Sequence, residues 1–228
     1  MQQTRRRFHE ELADLEGELL RLGQLSESAV VRAVDALVRK DADLADQIVA
    51  GDDVVDATYL DIEQRILALL ATQTPVARDL RLISAIMHTN LHLERVGDLA
   101  VNVAKITKAT VDLPTNATVL SHLEEMADIA AKMVRTAMDA FARRDARLAQ
   151  ELPQMDDPID HLNRGMYREV VALANDPREL EWGVQMHMVA RQLERVGDNA
   201  VDIGEQVAFL LTGEFREFTD ASHPDVLT

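Results

Sequence analysis

Four pairs of carboxylates are the residues of this sequence best placed to do chemistry. Asp52 and Asp56, Glu94 and Asp98, Asp156 and Asp160, and Glu194 and Asp198 are each four residues apart. In a helix that spacing puts each pair on one face. Oxygen donors without thiols suit hard or borderline cations such as Mg²⁺, Mn²⁺, Ca²⁺ or iron, and facing helices are where bundles build such sites. Asn102 and Asp202, four residues past Asp98 and Asp198, continue the oxygen stripe, and Asn90 extends it backward in the first copy alone. The competing reading is a set of solvated acidic faces, ordinary in so acidic a chain. Four pairs in common register weaken it.

That register comes from a repeat. LERVGDLAVN at Leu93 to Asn102 and LERVGDNAVD at Leu193 to Asp202 match at eight of ten positions. Upstream of the first stands DDVVD, Asp52 to Asp56, and upstream of the second DDPID, Asp156 to Asp160. The chain therefore reads as two copies of one unit, 1–112 and 113–228. Counted from a turn near Thr74, Asp56 lies 18 residues back and Asp52 22, while Glu94 lies 20 forward and Asp98 24. Counted from Asp176, the second set lies 16, 20, 18 and 22 residues away. At about 1.5 Å per residue, antiparallel helices bring each set of four to one height, roughly 30 Å above the turn. Gly97 and Gly197 sit inside these helices at a cost of about 1 kcal/mol each relative to alanine. They imply close helix approach or an uncovered site beside the carboxylates. Arg95 and Arg195 are either counter-charges to the clusters or surface arginines.

The elements that must position these groups are helices throughout. Leu12, Leu15, Leu19 and Leu22, then Val30, Ala33, Val34, Leu37 and Val38, recur at spacings of three and four. No stretch sustains the alternation of a strand. Breaks fall at 41–43, 72–75, 112–116, 143–145, 175–177 and 213. Thr74-Pro75 and Asp176-Pro177 each look like an N-cap followed by proline at the first helical position, the second with Glu179 at the capping-box position. The expected fold is all-α: two pseudo-symmetric antiparallel three-helix bundles in tandem, the second with a short C-terminal tail. Pro158 interrupts the third acidic pair. A helix beginning near Asp157 would leave Asp156 as a cap rather than a ligand, making the second site weaker than the first.

Composition removes several function classes. The chain has 228 residues, 40 acidic against 24 basic, for a net charge of −16. Phosphate-backbone binding needs an excess of Lys and Arg, so nucleic acid is not expected as a partner. With no cysteine, disulfides and thiolate metal sites are excluded. The absence of an apolar run of membrane-spanning length, and of a signal-peptide core behind MQQTRRRFHEEL, leads us to expect a cytoplasmic protein. Arg5 to Arg7 read as a solvated helix start, with a membrane-surface role as the alternative. His88 and His92 lie four apart, but Thr89 stands where a zincin helix has glutamate. No glutamate precedes a histidine by three, which weakens a di-iron oxygenase reading. Phosphate-binding loops, dinucleotide fingerprints and nucleophile elbows are all missing.

The doubled LERVGD-x-A-V-[ND], RDLR at Arg78 to Arg81 and FHEEL at Phe8 to Leu12 resemble the PhoU family of phosphate-signalling regulators, over essentially the whole chain. The resemblance implies multinuclear metal clusters of iron, zinc, manganese or magnesium on the paired acidic motifs. In this sequence those are Asp52, Asp56, Glu94 and Asp98, and Asp156, Asp160, Glu194 and Asp198, with Asn102 and Asp202 as additions. It also implies a non-enzymatic negative regulator acting between a phosphate ABC transporter and a sensor histidine kinase, reaching the membrane only through them. A homodimer is expected. RDLR has no copy in the second half, where residues 179–182 read ELEW. A metal-dependent hydrolase on a helical bundle is the alternative function.

Overall fold

The leucine stripe of the N-terminal segment is buried as its spacing requires. Leu15, Leu19 and Leu22 are fully enclosed, and Phe8 and Leu12 are nearly so. Each such side chain contributes about 1.5–3 kcal/mol through removal from water. In the computed structural model, which describes residues 2–218 (side chains from residue 5), this stripe forms one face of α1 (Gln2–Arg39). Lys40 adopts a left-handed conformation to end it. Asp41 then caps α2 (Ala42–Thr72) by accepting a hydrogen bond from Leu44 N at 2.8 Å. After a turn comes α3 (Arg78–Thr110).

The linker that follows is tied down by Lys40 Nζ, which donates to Leu113 O, and by Arg178 Nη2, which donates to Asp112 O at 2.7 Å. Asn116 caps α4 (Ala117–Arg143) through Thr118 N and Val119 N. A single-turn α5 (Ala146–Gln150) runs into α6 (Leu152–Ala172), and α7 (Pro177–Thr212) closes on Gly213 with φ 81°. Helices α1, α2 and α3 pack on one another, as do α4, α6 and α7. The two bundles join along α3 against α7 and α1 against α4, and one continuous apolar cluster runs from Phe8 to Leu210 through both. Among the described residues no helix is long and apolar enough to cross a membrane.

Two expected helix starts are corrected. Thr74 is not an N-cap: residues 73–77 stay outside the helix, and α3 begins after Ala77, whose φ of 47° turns the chain and whose side chain offers no cap. Asp176 does cap α7, accepting from Arg178 N and Glu179 N, with Pro177 at its first position. Its own N–H bonds to Leu173 O at 3.2 Å, so the reciprocal capping box is not made.

The larger correction concerns Pro158. It lies within α6, which starts at Leu152 and is continuous through Asp156 and Asp160. Proline deprives the Gln154 carbonyl of its helical donor, but Gln154 and Pro158 both face solvent, where water serves that carbonyl instead. Asp156 is therefore a mid-helix residue, and the reason for ranking the second site below the first falls away.

Candidate metal centres on paired helices

In each half the acidic pairs of two antiparallel helices act on one another. In the first half, burial raises the Asp52 carboxyl above its ordinary range, and the negative charges of Asp56 and Asp98 add to it, against Lys105. Burial likewise raises Glu94, reinforced by Asp98 and Asp56 and partly offset by Arg95. α2 and α3 thus bring Asp52, Asp56, Glu94 and Asp98 within one electrostatic neighbourhood. Asp98 and Asp56 are exposed at its rim.

In the second half the effect is stronger. Burial pushes the Asp156 carboxyl up to about 7, with Asp198, Asp160 and Glu194 adding to the rise. Burial also raises Glu194 and Asp198. Glu194 is 8% exposed, which is exceptional for a glutamate among like charges. Asp156 Oδ1 and Glu194 Oε2 are buried with no hydrogen-bond partner, an arrangement that costs about 1–3 kcal/mol per group. The other oxygens are partly met by arginine. Arg191 Nη1 donates to Glu194 Oε1 at 2.6 Å, and Arg164 Nη1 to Asp160 Oδ2 at 3.0 Å. Arg95 and Arg195 are exposed and serve as counter-charges through their fields, the latter on Glu194 and Asp198.

The repeated glycines have a physical reason at this point. A methyl group at Gly97 would lie 3.0 Å from Val55 Cγ1 and 3.5 Å from Asp52 Oδ1. At Gly197 it would lie 2.3 Å from Asp156 Oδ1. Each glycine is the floor over which the facing helix passes, and over which the first aspartate of that helix lays its carboxylate. Close approach and an uncovered site are the same feature.

The remaining candidates separate. Asp202 is half-exposed, raises Asp198, and stands 3.4 Å from His92 Nδ1. Asn102 is exposed at the end of its stripe. Asn90 is buried; its amide nitrogen donates to Tyr59 O at 3.1 Å and Glu63 Oε1 at 3.3 Å, which ties α3 to α2, while its Oδ1 is buried without a hydrogen-bond partner.

The donors are all oxygens, at one height, over a floor without side chains, and two of them are unsatisfied. That chemistry fits a hard cation. Among the described residues, no three His, Cys, Asp or Glu side chains converge closely enough to hold a metal ion as they stand. Coordination requires the Asp and Glu side chains to rotate inward about torsions that are soft for such groups.

Sequence reasoning missed the seam between the bundles. His92 of α3 is buried to 12% side-chain exposure, and its Nδ1 lies 2.9 Å from Asn199 Oδ1 of α7. Asn199 Nδ2 in turn donates to Arg195 O at 2.7 Å. Glu205 was missed too. Burial pushes its carboxyl up to about 7, against the pull of the Phe218 N–H that it accepts at 2.7 Å, with Asp202 and Glu217 adding to the rise.

A family model described as the PhoU domain matches the chain twice, at residues 19–107 and 123–207. The phosphate-specific transport system accessory protein PhoU homologue of Caulobacter vibrioides is 32% identical over 212 residues, 92% of each chain. The homologue of the same description from Pseudomonas aeruginosa is 35% identical, over 95% of this chain and 88% of its own. The crystal structure of PhoU from Pseudomonas aeruginosa aligns with a TM-score of 0.84 at 36% identity, covering 91% of this chain and all of that one. The phosphate transport system regulatory protein PhoU from Streptococcus pneumoniae aligns with a TM-score of 0.84 at 30% identity, over 92% and 99%. With both halves matched and full-length relatives above 30% identity, the chain belongs to the PhoU domain family.

Proposed function

We propose that the protein is a metal-binding regulator of phosphate uptake and phosphate-starvation signalling. Its relatives are described as accessory or regulatory proteins of phosphate transport, which supports the regulatory part. The observation that carries the metal part is the second carboxylate set. Asp156 is raised to about 7 beside the buried Glu194, with an unpartnered oxygen on each. A cation there satisfies both oxygens and screens the like charges that raise the carboxyls. The first set, Asp52, Asp56, Glu94 and Asp98, holds a second cation site, and iron, zinc, manganese and magnesium all suit these donors. In this reading the protein works without turnover. It binds a phosphate ABC transporter and a sensor histidine kinase, and acts as a negative regulator between them, reaching the membrane through those partners.

A net charge of −16 opposes direct attraction to an anionic lipid surface. The test has three arms. Metal analysis of protein purified without chelator or affinity nickel should find bound transition metal or magnesium. The protein should sediment with membranes carrying the transporter and kinase, and not with protein-free anionic liposomes. A phosphoester turnover assay with added Mn²⁺ should show no rate above background. Metal-free protein, or equal binding to bare liposomes, overturns the corresponding part of the reading.

A further inference from the structure

Away from the carboxylate sets, the two halves enclose an open pocket of about 550 Å³. Its walls come from α1, the first turn of α3, the residue that ends α4 and the C-terminal end of α7. Arg78, Arg81, Arg144 and His9 line it against two carboxylates, Glu16 and Asp79, with His9 Nε2 3.7 Å from Asp79 Oδ2. A local excess of positive charge stands out in a chain of net charge −16.

The arginines are not equally engaged. Arg144 is committed to Glu16 and to Phe141 O. Arg78 is exposed and Arg81 half-buried, and among the described residues neither has an ion-pair partner. Arg81 Nε is buried with no hydrogen-bond acceptor at all, while its Nη1 lies close to Gly213, 3.0 Å from where a methyl group there would sit. A guanidinium carries five donors in a fixed planar fork, and leaving a buried one unmet is unfavourable. The N-terminus of α3, uncapped by any side chain, places the positive end of its dipole beside the same arginines.

We propose that this pocket between the two halves is an oxyanion site for free hydrogen phosphate, gripped by Arg78 and Arg81, with Asp79 accepting the anion's own proton. The carboxylates choose the ligand. Glu16 and Asp79 repel a fully deprotonated oxyanion, whereas hydrogen phosphate keeps a hydroxyl at neutral pH and can donate it to Asp79. Sulfate has no such proton, and a phosphomonoester has mostly lost it by pH 7, its second pKa being about 6. Because residues of both halves line the pocket, the anion would bridge them.

The experiment is calorimetric titration of the full chain with sodium phosphate at constant ionic strength, after chelator treatment so that metal-bound phosphate cannot contribute. The expected result is saturable binding of one phosphate. Arg78→Gln with Arg81→Gln should weaken it about tenfold or more, with far-UV helicity unchanged. Arg78→Gln alone, at an exposed position that cannot unfold the protein, should weaken it about threefold or more. Sulfate should bind about tenfold or more weakly than phosphate, and Asp79→Asn should narrow that preference. Failure to saturate by about 10 mM phosphate, or unchanged affinity in the single arginine variant, overturns the site. Sulfate binding as tightly as phosphate overturns the choice of ligand. These outcomes are independent of the metal reading, since the protein is metal-free throughout.

Discussion

The carboxylate of Asp156 lies directly on the backbone of Gly197, so close that a methyl group there would sit 2.3 Å from Oδ1. Two opposed effects meet at this position. Alanine in a helix interior is favoured over glycine by about 1 kcal/mol, while the added carbon must displace the end of a short side chain. Gly197→Ala should therefore leave thermal stability within about 1 kcal/mol of the parent and expel Asp156 from the second site. Metal bound by the second set should fall at least about tenfold. Gly97→Ala presses on Val55 more than on Asp52. It should cost more stability and less metal. Metal content and melting temperature of the two variants, compared side by side, decide the matter, and equal metal loss in both would count against it.

Metal-free protein should lose stability as pH rises from about 4 to about 7. Asp156 and Glu205 are both raised to about 7 in the folded state from ordinary values of 3.8 and 4.5. Across that window the folded chain holds protons that the unfolded chain has released, so each unit of pH disfavours folding, and the loss levels off above the folded pKa. Both groups are only half-buried, so after allowance for solvent screening each contributes on the order of 1 kcal/mol. Asp156→Asn should flatten the profile and stabilise the metal-free protein at neutral pH. Melting temperature against pH, with chelator present, reads this directly. A profile that rises through the window contradicts the burial of these carboxylates.

Cation affinity should climb over the same range. A cation at the second set displaces the proton that Asp156 would otherwise carry, so binding near pH 6 should release protons and binding near pH 8 almost none. Titration in buffers of different ionisation enthalpy measures the number released. No proton release near pH 6 means that Asp156 is not a ligand.

The first set can be tested without disturbing the fold. Its apolar neighbours Val55, Ile62, Leu93 and Val96 form part of the continuous core, and the carboxylates lie outside it. Asp56→Asn with Glu94→Gln removes two negative charges from a crowded face. Metal content should fall by about the share of the first set, while helicity stays near parental and the metal-free melting temperature holds or rises. Unchanged metal content shows that the ligands lie elsewhere.

His92→Ala should cost about 1–2 kcal/mol, because it leaves Asn199 Oδ1 without its partner at a buried seam. The double-mutant cycle with Asn199→Leu should recover part of that loss, since leucine is what the first copy carries at the corresponding Leu99. Strictly additive costs would show that the two side chains do not interact.

Much of this was legible in the sequence because helices are rulers. Counting residues from a turn fixes height, and heights brought the four carboxylates of each half together before any packing was known. Pro158 was misjudged because the penalty for a mid-helix proline depends on which way the orphaned carbonyl points, and Gln154 faces water. Thr74 was misjudged because a capping residue needs a chain direction that Ala77 supplies three residues later. The seam contact joins residues 107 apart, which no local pattern reveals. Yet the repeat had marked it. The two positions at which LERVGDLAVN and LERVGDNAVD differ are 99 against 199 and 102 against 202, and Asn199 and Asp202 are the residues that His92 meets.

Exchanging the two halves maps each of the joining helix pairs, α3 with α7 and α1 with α4, onto itself, the arrangement of an isologous dimer. His92 faces Asn199, and in the exchanged position Gln192 shares a small void with Leu99. Severing the chain between residues 111 and 116 would leave each half with a face able to meet its own duplicate. A pair of first halves would set His92 against Leu99 and strand a buried imidazole, whereas a pair of second halves would set Gln192, whose Oε1 has no hydrogen-bond partner in the intact chain, against the amide of Asn199. The covalent connection raises the effective concentration of the unlike partner, and His92 of the first half meets its amide partner Asn199 only there. The tether thus holds together, within a single chain, a mixed pair of two like units.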